Sequence, residues 1–175
     1  RARRPHRHGA PVNGRGGFWR TLAVMLVLFG LHFYVRPRFG SPRFAPDFIA
    51  IGVLLVALRA RPGQAAVVGL LAGLVADALT PAHFGAGALA NAVVGYVAAF
   101  SRSVFFADNL LVTLGFFAVG TWLRNLLVLV ASGTPAGQLW MDAGVWSGAQ
   151  ALSTAVVGVV IAMFLRGWLD LRIRE

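Results

Sequence analysis

The sequence predicts an all-α integral membrane protein whose architecture is a six-helix transmembrane bundle. Of its 175 residues, 58% are hydrophobic and 13% are charged, and the mean hydropathy is +0.72. A typical soluble domain has about 25% charged residues. The apolar residues fall into six blocks that are apolar on all sides, whereas the strands of a membrane barrel alternate in hydrophobicity. Helices, which satisfy their backbone groups internally, are therefore predicted.

Each block ends at a break that contains Pro, Gly or Arg. The second block is the shortest, since roughly 13 residues rise about 20 Å while a hydrocarbon core is roughly 30 Å thick. The sequence allows three interpretations of this block. It is a short span sheltered by its neighbours, a re-entrant element, or a buried helix that does not cross the membrane. The six predicted spans, within a transmembrane domain of residues 18–168, are 18–35, 47–59, 64–80, 85–101, 109–131 and 144–165.

Polar tails flank this domain. Residues 1–17 contain five Arg, two Pro and four Gly and almost no apolar residues. Such a composition buries too little surface to offset the entropy of ordering, so we predict a disordered basic tail. Residues 169–175 form a short C-terminal tail.

The basic residues indicate the orientation. All sixteen are Arg, and the net charge is +10. If the N-terminus is cytoplasmic, twelve lie on the cytoplasmic side, three lie in the first outer loop and Arg124 lies inside the fifth span. The positive-inside rule thus predicts two cytoplasmic termini. The Arg residues beside the spans are expected to contact anionic lipids, not nucleic acid; they include Arg15, Arg20, Arg59 and Arg61.

Small residues recur at helical spacing and predict close helix contacts. Such faces let two helices approach closely in lipid. Each face either packs inside the bundle or docks the transmembrane helix of a partner. The glycines concerned are Gly69 and Gly73 in the third span, Gly95 in the fourth, and Gly144, Gly148 and Gly158 in the sixth.

Asp77 and Arg124 are charged residues within the predicted third and fifth spans. Charge within a membrane is costly and usually faces protein or water. Asp77 shares a face with Gly69 and Gly73, and Arg124 lies about 10 Å from the outer end of its span. We predict an intramembrane ion pair between Asp77 and Arg124. In the alternative, Arg124 extends to water or to Asp142 while Asp77 caps a helix end.

Two further acidic residues lie at the outer side. Asp47 follows Pro46 at the start of the second span, where a carboxylate is expected to cap the helix. Asp142 lies in the break before the sixth span. No nucleophile, metal-binding or phosphate-binding motif is present, there is no Cys, and His32 and His83 are isolated. We therefore expect no cofactor, no metal site and no enzymatic activity.

The order of several short motifs resembles the rod shape-determining MreD family. They are a Pro-Asp before the second span, a basic turn, a Gly-x-x-x-Gly-x-x-x-Asp helix, a Pro-to-Gly linker and a Gly-Tyr pair. In this sequence they are Pro46-Asp47-Phe48, LLVALRAR from Leu54 to Arg61, Gly69 to Asp77, Pro81 to Gly85, and Gly95-Tyr96. The resemblance is strongest over about residues 44–101.

The resemblance implies a non-catalytic scaffold or regulator in the bacterial inner membrane. Its implied partners are MreC and, through MreC or directly, the MreB filament and the glycosyltransferase RodA with its transpeptidase partner. The implied fold is similar to the substrate-binding S-component of energy-coupling-factor transporters. The competing interpretation is a vitamin transporter subunit in which Asp47, Asp77, Arg124 and Asp142 line a pocket.

Overall fold

A computed structural model of the chain describes residues 14–41, 43–80, 84–105 and 110–165. Within these residues the protein forms six helices and no strand, which confirms the predicted helix number. We number the helices in chain order. They are α1 (Gly14–Tyr34), α2 (Phe48–Ala57), α3 (Pro62–Leu79), α4 (Ala86–Phe105), α5 (Leu110–Ala131) and α6 (Ala136–Leu165).

Proline, glycine and capping side chains mark most helix ends. A short 3-10 turn, Arg36–Arg38, follows α1. Helix α3 begins at Pro62, which needs no backbone donor at that position, and Gln64 accepts a hydrogen bond from the Arg61 amide at 3.3 Å. Gly85 precedes α4 with a φ of 96°, a backbone conformation that favours glycine.

Helix α2 lies at the centre of the bundle. All ten of its residues are buried, and it contacts each of the other five helices. Its last turn is held by Arg102 of α4, which donates to the Leu58 carbonyl at 2.7 Å. A short helix is tolerated at membrane depth when protein surrounds it. The second block is thus a helix about 15 Å long that is enclosed by the other five.

The remaining helices pack as antiparallel neighbours around α2. The most extensive contacts are between α3 and α4 and between α5 and α6. Helix α6 is continuous over Ala136–Leu165 and contains a π-helical turn at Asp142–Trp146. Next to this turn, Trp122 of α5 donates to the Ala143 carbonyl at 2.8 Å. The sixth helix therefore begins before the predicted residue 144, and Asp142 lies inside it.

By length and apolar composition, four segments of the described chain are able to cross a membrane. They are Gly17–Arg38, Pro62–Leu79, Leu110–Ala131 and Ala136–Leu165. Residues 1–13 and 166–175, which hold most of the predicted tails, lie outside the described residues, and α1 begins at Gly14.

Candidate functional site

Asp47 is the centre of a buried polar cluster. Its side chain is fully buried, and its Oδ1 accepts hydrogen bonds from the amides of Ile49 and Ala50, each at 3.0 Å. These bonds cap α2, so the predicted N-terminal cap is present. A carboxylate at this position also meets the positive end of the helix dipole.

The ion pair of Arg124 is formed with Asp47. Nη1 of Arg124 lies 3.0 Å from Oδ2 of Asp47, and the side chains are 16% and 0% exposed. The predicted pair of Arg124 with Asp77 is therefore corrected. The reason is helix placement: α5 packs on α6, α4 and α2, while α3 packs on α4 and α2. Arg124 thus reaches Asp47 at the start of α2, whereas the Asp77 carboxylate faces the start of α4.

Asp77 instead binds the start of α4. Its Oδ2 accepts from the amides of Gly85 at 2.9 Å and Ala88 at 3.0 Å. The first amides of a helix have no partner within the helix, and Asp77 supplies one from the neighbouring helix. This role agrees with the capping alternative for Asp77, whereas Arg124 pairs with Asp47 and not with Asp142.

A second basic group reaches the Asp47 carboxylate through a histidine. Arg36 donates from Nη1 to Nε2 of His32 at 3.0 Å, and Nδ1 of His32 lies 3.4 Å from Oδ1 of Asp47. A guanidinium only donates, so Nε2 of His32 accepts in its contact with Arg36. The order Arg36, His32, Asp47, Arg124 therefore places an imidazole ring and a carboxylate between two guanidinium groups.

Neutral side chains of α5 and α6 complete the cluster. The Asp47 amide donates to Oγ1 of Thr154 at 3.0 Å, and Gln150 donates to the Ala45 carbonyl at 3.2 Å. Asn125 donates to Oε1 of Gln150 at 2.8 Å. These bonds hold the turn before α2 against α6. We call these seven residues the Asp47 cluster: His32, Arg36, Asp47, Arg124, Asn125, Gln150 and Thr154.

The cluster lies deep within the bundle. Asp47 starts a helix that rises about 15 Å toward the end that carries Arg59, half of a roughly 30 Å hydrocarbon core. Arg124 lies about 10 Å from the end of α5 at Ala131. Unpaired charge at such depth is strongly unfavourable, so the ion pair and its hydrogen bonds stabilise one arrangement of α1, α2, α5 and α6.

Most of the predicted small-residue positions pack inside the bundle. A Cβ added at Gly69 or Gly73 collides with the backbone of Asn91 or Ala88 of α4, and one at Gly95 lies 2.5 Å from the Ala65 carbonyl oxygen. At Gly158 the neighbour is the Phe117 ring of α5, 2.7 Å away. These four glycines permit the close α3–α4 and α5–α6 contacts.

Gly144 and Gly148 differ from those four glycines. A Cβ at either position meets no atom within 4 Å. They line an open apolar groove between α5 and α6, together with Ala118, Val119, Trp122, Val145, Ala149, Ala151 and Leu152. The pair thus has the spacing of a helix-docking face, and no helix among the described residues packs against it.

The other predicted positions lie toward the surface. Arg59 and Arg61 are in the turn between α2 and α3, and Arg20 is exposed on α1. Arg15 is in the first turn of α1, and its side chain is outside the described part. Asp142 is partly exposed and, in the described residues, has no ion-pair partner.

Sequence reasoning missed His32 and Arg36 as members of the cluster. His32 is isolated in the sequence, and Arg36 is one of the three Arg in the predicted first outer loop. Arg36 follows His32 by four residues, in the 3-10 turn after α1. A polar residue in an apolar span, such as His32, is a candidate for function in its own right. The distance along the chain from His32 to Arg124 left no local signal of their proximity.

In the described residues, the Asp47 cluster is suited to a structural role. The Asp47 carboxylate is paired with Arg124 and caps α2, and no group of three His, Cys, Asp or Glu residues in the described part of the chain is placed to hold a metal ion. What the arrangement does is join four segments of the chain at membrane depth.

Comparison with known proteins identifies the family. The family model described as rod shape-determining protein MreD matches residues 16–169, which span all six helices. No curated protein and no solved structure gives a significant match. The match covers nearly the whole chain, including the Asp47 cluster and the Asp77 cap, and agrees with a multi-pass membrane protein of apolar helices. The chain therefore belongs to the MreD family of rod shape-determining proteins.

Proposed function

We propose that the chain is a non-catalytic scaffold of the bacterial rod complex in the inner membrane, with both termini cytoplasmic. In this role it binds MreC and supports peptidoglycan synthesis by RodA and its transpeptidase partner, in connection with MreB. Membership in the rod shape-determining family supports a role in rod shape determination. The +10 net charge and the twelve Arg on the proposed cytoplasmic side support the orientation.

The open groove at Gly144 and Gly148 carries the scaffold proposal. The packed glycines each receive a neighbouring helix, whereas a Cβ at Gly144 or Gly148 meets open space in the described structure. In lipid, helices associate through such close backbone contact because no hydrophobic driving force is available. We assign the groove to the transmembrane helix of MreC, the partner that family membership implies and whose membrane part is a single helix.

Leucine at both Gly144 and Gly148 is expected to abolish co-purification with MreC from native membranes. Two large side chains fill the groove. A loss of about 1.4 kcal/mol or more of binding free energy corresponds to an affinity at least tenfold lower, so we expect recovered MreC to fall at least tenfold. The amount and the thermal stability of the variant are expected to remain near those of the parent chain. Mass spectrometry of the purified complex measures the recovered partner.

Gly30→Leu is the matched control, because Gly30 is also a helical glycine with no atom near its Cβ position. It lies on α1, away from the groove, and is expected to leave MreC recovery unchanged. Equal loss of MreC in this variant and the double variant, or full recovery in both, contradicts the assignment of the groove.

The transporter interpretation makes a different prediction for the same purification. A vitamin-binding subunit retains a small molecule and recovers transporter subunits in place of MreC. The contacts of Asp47 and Arg124 with each other favour the scaffold, since these groups serve the protein instead of an open pocket. The similarity to the S-component fold also stays a proposal. Recovery of a bound vitamin, with unchanged cell shape on deletion of the gene, contradicts the scaffold function.

A further inference from the structure

Two arginines beside the first loop, Arg38 and Arg43, lie on aromatic rings. The guanidinium carbon of Arg38 is 3.8 Å from the centre of the Tyr34 ring on α1, and that of Arg43 is 4.4 Å from the Trp146 ring on α6. Phe44 packs on the same Trp146 at 5.9 Å. Stacking of this kind fixes the plane of a guanidinium while leaving its N–H edge open.

Neither guanidinium has an acidic partner in residues 14–41, 43–80, 84–105 and 110–165. The nearby carboxylate of Asp47 is fully buried and paired with Arg124, and that of Asp77 binds backbone amides. Each guanidinium carries five N–H donors. Two sets of oriented donors are therefore available to an acceptor outside this chain.

The surroundings indicate where this acceptor comes from. Tyr34, Phe39 and Phe44 are at least half exposed beside these arginines, and amphipathic aromatic side chains gather at the level of lipid headgroups. Arg36, Arg38 and Arg43 also oppose the positive-inside rule in the proposed orientation. Their retention on that side is accounted for by a ligand that compensates their charge.

We propose that Arg38 and Arg43 each bind the phosphate of an anionic lipid headgroup. The planar guanidinium matches phosphate oxygens with two parallel hydrogen bonds, which an ammonium does not reproduce. The aromatic rings hold the arginines in place and contact the upper acyl region of the same lipid. The site lies on the proposed outer face, apart from the Gly144 and Gly148 groove.

Native mass spectrometry of the full chain in detergent tests this site. The probes are phosphatidylglycerol, phosphatidylcholine with the same acyl chains, and inorganic phosphate. We expect the chain to retain phosphatidylglycerol roughly fivefold more than phosphatidylcholine, and inorganic phosphate in excess to displace little of it. Equal retention of the two lipids, or complete displacement by inorganic phosphate, overturns the proposal.

Three variants assign the retention to these arginines. The double change Arg38→Lys with Arg43→Lys keeps the charge and is expected to remove most of the preference. Trp146→Leu removes a ring without a charge change and is expected to weaken the preference. Trp140→Leu is the matched control, because Trp140 is exposed and no arginine of the described residues lies on its ring, and it is expected to have little effect. A preference that survives in the double Lys variant overturns the proposal. An unchanged unfolding temperature of that variant verifies that it is folded.

Discussion

Arg124→Met is expected to lower the free energy of unfolding by about 3 to 5 kcal/mol, because it leaves the buried carboxylate of Asp47 without its cation. The Asp47 side chain is fully buried, and Arg124 lies 3.0 Å from it. A typical domain is stable by only about 5 to 15 kcal/mol, so the change removes a large part of that stability. Denaturation in mixed detergent micelles, followed by Trp fluorescence, measures the loss.

Arg124→Lys serves as the comparison for this prediction. An ammonium restores charge but not the hydrogen bond that Arg124 also donates to Asn125 at 3.3 Å, so an intermediate loss is expected. A second comparison is Arg20→Met on the surface of α1, where an exposed side chain is expected to contribute less than about 1 kcal/mol. Equal stability of Arg124→Met and the parent chain contradicts the role given to the ion pair.

Gly73→Leu is expected to separate α3 from α4 and to prevent accumulation of the folded chain. A Cβ at Gly73 collides with the Cα of Ala88 and lies 2.7 Å from its amide nitrogen. These neighbours are backbone atoms that cannot rotate away, so the helices must move apart. Overpacking costs about 1 to 3 kcal/mol and occasionally more, and the separation also disturbs the Asp77 cap on α4. The amount of folded protein in the membrane fraction measures the effect.

Gly148→Leu is the matched control for Gly73→Leu. The substitution is the same, but a Cβ at Gly148 meets no atom within 4 Å. Its stability is expected to equal or exceed that of the parent chain, since a helical Gly costs about 1 kcal/mol relative to Ala. If Gly148→Leu proves as damaging as Gly73→Leu, the division into packed and open glycines is incorrect.

The fold class and helix number were predictable because they depend on local composition. Apolar blocks long enough to span, separated by Pro, Gly and Arg, identify helices without knowledge of their neighbours. The Asp47 cap was predictable for the same reason, since it depends on residues adjacent in sequence. The start of α6 was not, because a π-helical turn carries the helix through Asp142.

The partner of Arg124 depended on which helices touch, and hydropathy does not contain that information. The depths of Asp77 and Arg124 along their helices are similar enough for an ion pair. Two side chains at similar depth form a pair only if their helices are neighbours. The central position of α2, enclosed by five helices, brings Asp47 to Arg124. The short length of the second block was a sign of that central position, since a helix that does not reach both surfaces requires protein around it.

The double-mutant cycle between Asp47 and Arg124 tests the account most directly. Asp47→Asn keeps an oxygen for the helix cap, and the cycle compares it, Arg124→Met and their combination in free energy of unfolding. We predict a coupling of at least about 2 kcal/mol, and a coupling below about 0.5 kcal/mol when Asp77→Asn replaces Asp47→Asn. Strong coupling of Arg124 to Asp77 with none to Asp47 contradicts the buried cluster on which the account is built.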